Sequence, residues 1–135
     1  METTQRMLLT SEYESMMALA QRHLPQSSDR PEVVVVKTTS GALFFQEIDD
    51  YADAAVRESL ENKLLQKLSE SGQSQVRLCL VTLGKQPEVP SWNLLTGLIA
   101  LHPDNLQTLT FGWGGDDKII VRPIRDRLPP QKNIL

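Results

Sequence analysis

The sequence predicts a single-domain α/β protein, with α+β as the alternative, built on a mixed sheet of about five strands and three helices. Helical and strand patterns follow one another in the order α-β-β-α-β-α-β-β. The alternation in the middle favours right-handed crossovers with parallel pairing, whereas the hairpins must be antiparallel. A chain of 135 residues, 40% of them hydrophobic, is long enough to bury one core.

The first predicted helix follows Ser11, which forms a capping-box pattern with Glu14. Apolar residues then recur at helical spacing until Pro25. Next, VVVVKTTSGALFFQEI predicts two strands around the turn residues Ser40 and Gly41. Since Val33–Val36 is apolar on both faces, the first of these strands is predicted to be an inner one.

The second predicted helix covers IDDYADAAVRESLENKLLQKLSESG and ends at Gly72. Asp49 or Asp50 can cap its start, and Asp53 suits the positive end of its dipole. A buried face is predicted from residues that step by four, namely Ala52, Val56, Leu60, Leu64 and Leu68.

The second half of the chain begins with VRLCLVTL, an apolar run typical of a central strand. The segment KQPEVP is predicted to be a loop, and Ser91 to cap a short helix that ends before Pro103. Two further strands flank GGDD. Residues 1–125 are therefore predicted to form the domain, and residues 126–135 an extended tail.

Composition limits the class of protein. A single cysteine, Cys79, excludes an intramolecular disulfide framework and suits a reducing compartment, and its place within an apolar strand favours inert packing. No run approaches the roughly 18 apolar residues of a membrane-spanning helix. Residues 1–75 carry 12 acidic and 7 basic residues, whereas residues 76–135 carry 5 and 7. A cytoplasmic protein is expected, and one whose acidic half could meet a basic partner.

The glycine-rich stretch FGWGGDDKII is predicted to be a hairpin turn, since the strand-like KIIVRPI that follows it offers no helix N-terminus for a phosphate. The alternative is a divalent cation held by Asp104, Asp116 and Asp117 beside Lys118, as in a nuclease. Turn aspartates chosen for local hydrogen bonds are the favoured interpretation. No cofactor is expected.

Three other groups are candidate binding residues. The acidic group Asp49, Asp50 and Asp53 is explained by helix capping, and could also dock a basic protein. Trp92 and Trp113 lie near the ends of elements, where core packing is favoured over a binding role. The C-terminal arginines could contact a partner, a second copy of the chain or nucleic-acid phosphates, or could simply be solvated. They are Arg122, Arg125 and Arg127.

No nucleophile has a visible base, and no histidine pair has the spacing of metal ligands. The sequence therefore predicts a non-enzymatic protein-binding module, of adaptor, chaperone or toxin-inhibitor type, that acts through an apolar and acidic surface. Its expected partner is another protein or a second copy of itself; neither a membrane nor a nucleic acid is expected. The alternatives are a metal-dependent nuclease or phosphodiesterase using the aspartate-rich hairpin, and a self-associating structural component.

Overall fold

The computed structural model describes residues 2–24, 32–48, 53–116 and 118–128. These residues form a mixed six-stranded sheet with helices on both faces, which confirms the predicted α/β class. The helices are α1 (Glu2–Arg22), α2 (Ala54–Glu70), α3 (Trp92–Leu101) and α4 (Ile124–Arg127), and a 3₁₀ turn covers Pro103–Gln107. The strands are β1 (Glu32–Thr38), β2 (Leu43–Ile48), β3 (Val76–Leu83), β4 (Gln86–Glu88), β5 (Leu109–Trp113) and β6 (Ile119–Pro123).

The sheet has the order β2-β1-β3-β5-β6, and β4 pairs with β3 outside this path. Strand β1 is antiparallel to β2 and β3, whereas β3 and β5 are parallel and are joined through α3. Consequently β2, β3 and β5 all end at one edge of the sheet, which we call the carboxyl edge. Helix α2 begins at this edge, because it follows β2. Helix α3 follows β4, which turns back along β3 so that Glu88 lies opposite Val81.

Strands β1 and β3 are buried on both sides, as their unbroken apolar runs predict. On one face Val33 and Val35 pack with α1, through Met16 and Ala20. On the other face Val34 and Val36 pack beneath α2 and α3. The alternation of the strands thus divides the core into two layers, one on each side of the sheet.

The GGDD segment is the predicted hairpin turn between β5 and β6. Gly114 N donates to Lys118 O at 2.9 Å, and Lys118 N donates to Gly115 O at 2.9 Å. Gly115 and Asp116 have φ values of 79° and 50°, in the left-handed region that glycine and aspartate tolerate best. Asp117 lies outside the described residues.

Helix α1 begins at Glu2, well before the predicted cap at Ser11. The apolar side of the helix continues backwards to Leu9, one turn before Tyr13, and both side chains pack against the α1 layer of the core. Over the described part of the chain, no helix combines the length and the apolar character that crossing a membrane requires.

Two other predictions differ from the structure. The predicted loop KQPEVP contains β4, which turns back onto β3 at Gly84, a glycine with φ of 61°. Helix α4 crosses the predicted boundary between domain and tail, because Ile124 is fully buried and Leu128 packs against the same core layer. Helix α4 was not predicted, because a helix of four residues is too short for apolar residues to recur at helical spacing.

Asn105, in the 3₁₀ turn, holds three parts of the backbone together. Its Oδ1 accepts from Val76 N at 2.8 Å, and its Nδ2 donates to Ser74 O at 2.8 Å and to Leu98 O at 2.7 Å. The side chain is fully buried. It therefore satisfies backbone groups at the start of β3 and near the end of α3 that water cannot reach.

We expect Asn105→Ala to lower the free energy of unfolding by about 2–4 kcal/mol, because three buried backbone groups lose their partner. Chemical denaturation measures this loss. Gln107→Ala, an exposed position in the same turn, is the control and should change stability by less than about 0.5 kcal/mol. Equal losses for the two variants would contradict the role given to Asn105.

Candidate functional site

The candidate site lies at the carboxyl edge, between the starts of α2 and α3. In open α/β sheets, ligands bind in the crevice outside the carboxyl ends of the strands. Here polar side chains from two strands and two helices lie near one another, and one exposed aromatic ring belongs to the first turn of α3. We call them the edge cluster: Glu32, Arg57, Glu61, Glu88, Ser91, Trp92 and Asn93.

Each of the two helices starts at a side-chain cap. Asp53 Oδ1 accepts from Val56 N at 2.9 Å, and Ser91 Oγ accepts from Leu94 N at 3.1 Å. The capping role therefore belongs to Asp53 and not to Asp49 or Asp50, because the helix begins one residue after Asp53. Asp49 and Asp50 lie outside the described residues.

Glu61 connects the two helices. Its side chain belongs to α2 and is 2% exposed. Oε2 accepts from Ser91 Oγ at 2.6 Å, and Oε1 accepts from Asn93 Nδ2 at 3.0 Å. The carboxylate thus sits at the positive end of the α3 dipole, where a negative charge is favoured.

The close packing of α2 and α3 continues one turn further along. Gly97 of α3 faces Leu65 of α2, and a Cβ at Gly97 would lie 2.3 Å from Leu65 Cδ1. Only glycine lets the helices approach this closely without a shift of Leu65. The start of α3 is consequently held against the middle of α2 by packing as well as by Glu61.

The contact between Ser91 and Glu61 also places a carboxylate beside a hydroxyl, which the sequence did not show. Two observations argue against a nucleophile and its base. Asn93 already donates to the other Glu61 oxygen, Oε1, and Ser91 Oγ already accepts from the backbone of α3 as its cap. The pair therefore serves to join the helices.

Glu32 and Arg57 form the second polar pair of the cluster. Arg57 Nη1 donates to Glu32 Oε2, whose side chain is largely buried at the start of β1. Burial raises the pKa of Glu32, the Arg57 guanidinium opposes this shift, and the nearby Glu88 and Glu61 carboxylates add to it. The hydrogen bond to Glu32 raises the pKa of Arg57, so the guanidinium stays charged.

Sequence reasoning missed Arg57 and Glu61, although a signal existed. The two buried leucines of α2, Leu64 and Leu68, continue backwards at helical spacing to positions 61 and 57. The predicted apolar face ran through Val56, which is 48% exposed. The inner side of the first turns of α2 is polar, because Arg57 meets Glu32 of β1 and Glu61 meets the start of α3.

The two tryptophans lie on opposite faces of the sheet. Trp92 is 57% exposed at the start of α3, and Trp113 is 40% exposed at the end of β5. Trp113 lies two residues after Phe111, on the α1 face. Asn93 faces α2, and Trp92 lies about 100° from Asn93 around the helix. The favoured interpretation, core packing, is wrong for both, because each lies where its element leaves the packed layers.

Two of the three aspartates proposed as metal ligands, Asp104 and Asp116, are not brought together, and the third, Asp117, lies outside the described residues. Asp104 precedes β5 and Asp116 follows it, so about 16 Å of strand separates them. Gln75 Nε2 donates to Asp104 Oδ2 at 3.3 Å. Within the described ranges, no three His, Cys, Asp or Glu side chains come together as a metal site would require.

The structure brings two of the three C-terminal arginines together. Arg127 of α4 lies across β5 and β6, close enough to Arg122 for the two charges to interact. Arg125 points into solvent and lies 3.8 Å from Asp126. The arginines are therefore not one cluster but a pair and a separate exposed residue.

No protein-family model matches this sequence, and no curated protein matches it. Solved structures do. The chain resembles the cytidine deaminase from Bacillus anthracis, with a TM-score of 0.60 and 13% identity over 85% of this chain and 82% of that one. It resembles the cytidine deaminase from Mycobacterium leprae with a TM-score of 0.60 and 15% identity, over 87% of this chain and 93% of that one. For the cytidine deaminase from Burkholderia pseudomallei the TM-score is 0.60 and the identity 14%, over 85% of this chain and 92% of that one. The chain therefore has a cytidine deaminase-like fold.

These matches overturn the predicted function. A non-enzymatic protein-binding module was expected, with a nuclease and a self-associating component as alternatives, but the architecture is one found in deaminases. The prediction failed because it inferred a binding module from missing motifs. A fold is set by layers and connections, which survive at 13–15% identity without any shared motif.

The residues of the edge cluster do not fit a zinc ion. Zinc-dependent cytosine deaminases hold the metal with a His or Cys and with two cysteines of a Pro-Cys-x-x-Cys pattern, and they use a Glu to move protons. Here Pro90 is followed by Ser91-Trp92-Asn93-Leu94, with Ser and Leu in place of the cysteines, and α2 starts with Ala54-Ala55-Val56. Cys79 is buried within β3, where burial raises the pKa of its thiol to about 12.

We expect Glu61→Ala to lower the free energy of unfolding by about 2–4 kcal/mol, because Ser91 and Asn93 lose a buried charged acceptor. Glu58→Ala, an exposed position one turn earlier on α2, is the matched control. Urea denaturation of both variants checks this. A Glu61 variant as stable as the Glu58 variant would show that the helices do not depend on this contact.

The raised pKa of Glu32 predicts a pH dependence. The native state holds this proton more tightly than the unfolded chain, whose pKa is near 4.5. The associated stability is therefore complete below pH 4.5 and is lost as the pH rises through the native pKa. Glu32→Gln lacks this titration, so the stability of the natural protein should fall relative to the variant as the pH rises. Denaturation of both proteins at a series of pH values from 4.5 upwards measures the difference between their stabilities. A difference that did not change with pH would contradict the raised pKa of Glu32.

Proposed function

We propose that this chain binds a cytidine-like nucleoside at the carboxyl edge of its sheet, and that it does so without zinc. The observation that carries the proposal is the shared architecture, which covers 82–93% of three cytidine deaminases. The edge cluster lies where a sheet of this type offers its ligand crevice. The edge is also held in shape by Glu61, so its geometry does not depend on a metal.

Trp92 is the surface proposed to receive the base. Its ring is 57% exposed, yet its backbone belongs to the first turn of α3, which Ser91 caps and Glu61 anchors. A rigidly mounted aromatic ring offers a stacking surface to a nucleobase, worth about 1–3 kcal/mol. This explains why a large apolar side chain is left in solvent beside a polar cluster.

Polar groups of the edge cluster suit the edge of a pyrimidine. Cytosine presents an amino donor together with carbonyl and ring-nitrogen acceptors. Glu88 supplies a carboxylate acceptor, and the amide of Asn93 has an acceptor oxygen left because its nitrogen donates to Glu61. The site therefore offers groups for recognition, whereas activation of water by a metal has no donor set here.

The first experiment is a titration of the protein with cytidine, uridine and adenosine, followed by tryptophan fluorescence and calorimetry. We expect pyrimidine nucleosides to bind, and Trp92→Ala to weaken binding roughly tenfold because stacking is lost. Trp113→Ala is the matched control, since this second exposed tryptophan lies on the opposite face of the sheet. Its binding should be unchanged.

The same samples are tested with added zinc and with a chelator. Binding and melting temperature should be the same in both, and zinc should not promote release of ammonia from cytidine. Absence of nucleoside binding, or equal effects of the two tryptophan variants, would refute the proposed site. Stoichiometric zinc in the purified protein would refute the metal-free interpretation.

A further inference from the structure

The part of the sheet that α2 and α3 leave uncovered carries a pair of arginines. Ile119 and Val121 of β6 pack towards α1, so Ile120 and Arg122 point to the other face. Ile120 is 39% exposed there and Arg122 is exposed. Arg127 reaches the same face from α4. This face, formed by Gly112, Ile120, Arg122 and Arg127, is called the arginine face below.

Arg127 is held in a defined position. Its Nε donates to Thr110 Oγ1 at 2.9 Å, and that hydroxyl donates to Arg122 O at 2.8 Å. Its Nη2 lies 3.5 Å from Ile120 O. A Cβ at Gly112 would lie only 3.3 Å from Nη2, so the glycine makes room for the guanidinium against the sheet. The head group is therefore fixed by neutral acceptors.

The charges of this pair are not compensated. Partial burial and the Arg122 charge both lower the pKa of Arg127. Among the described residues, Arg57 and Arg77 form ion pairs with Glu32 and Glu12, but no carboxylate lies within ion-pair distance of Arg122 or Arg127. A half-buried cation beside a like charge is costly, and an anion bound between them removes that cost.

The arginine face adjoins the site proposed for the base. The Cβ position of Gly112 also lies 3.3 Å from Val89 Cγ2, so Val89 and Arg127 border the same spot. Val89 precedes Ser91 by two residues, and Trp92 follows Ser91 directly in the first turn of α3. The Arg127 guanidinium is thus on the order of 10 Å from the start of α3.

We propose that Arg122 and Arg127 bind the phosphate group of a pyrimidine nucleoside monophosphate whose base rests against Trp92. The inference rests on the proposed function and makes its ligand a nucleotide. Guanidinium groups bind phosphate through charge-assisted hydrogen bonds, often two at a time. The remaining N–H groups of Arg127 and the exposed head of Arg122 supply such donors.

Calorimetry with three probes tests the inference, namely cytidine, cytidine 5′-monophosphate and inorganic phosphate at low ionic strength. We expect the monophosphate to bind roughly tenfold or more tightly than cytidine. Arg127→Gln and Arg122→Gln should each remove most of this gain. Arg125→Gln, which alters an exposed arginine of the same helix, should retain it. Because Arg122 makes no side-chain hydrogen bond within the described chain, its variant tests the charge even if Arg127→Gln is unstable.

The outcomes separate the two proposals. Equal affinity for cytidine and its monophosphate, unchanged in Arg122→Gln and Arg127→Gln, overturns the arginine site and leaves the nucleoside site standing. Binding of inorganic phosphate that these two variants lose, without binding of cytidine, supports an anion site and overturns the proposed function. No binding of any probe refutes both.

Discussion

The buried carboxylate of Glu61 is the contact on which the carboxyl edge depends. Helix α2 begins at this edge, and the start of α3 lies against α2 about two turns further along, beside Glu61. Glu61 accepts hydrogen bonds from Ser91 and Asn93 at the start of α3, where a negative charge is favoured. Gly97 then allows the helices to pack closely. Everything proposed for Trp92 requires this edge to be rigid.

Sequence patterns predicted the parts of the fold that depend on burial. The apolar runs of β1 and β3 indicated inner strands, and the glycines after Trp113 indicated a hairpin turn. The same reasoning did not identify the polar residues of the site, because polar side chains do not recur at a regular spacing along the sequence. Arg57 and Glu61 were missed since their partners, Glu32 and Ser91, lie at least 25 residues away in the sequence. Long-range pairing, and not local propensity, gives these side chains their roles.

The resemblance to cytidine deaminases and the residues at the edge convey different information. The fold matches over 85–87% of this chain with a TM-score of 0.60, although identity is only 13–15%. The side chains at the start of α3 are nevertheless a hydroxyl, an indole and an amide, which do not form a zinc site. A fold can keep its crevice while the chemistry within it changes, because the crevice is formed by backbone topology and the chemistry by a few side chains.

The parallel seam of the sheet, where β3 pairs with β5, is short. Strands β3 and β5 pair only at Leu78 and Cys79, because β4 occupies the same side of β3 from Val81 onwards. The β5–β6 hairpin is thus joined to the sheet by few interstrand hydrogen bonds, and by side-chain packing with α1 and the 3₁₀ turn. A hairpin that is joined to the sheet by so few hydrogen bonds is expected to unfold locally as one unit. Its amide hydrogens would exchange with solvent together, ahead of those in β1 and β3, and a ligand that bridges the seam would slow that exchange.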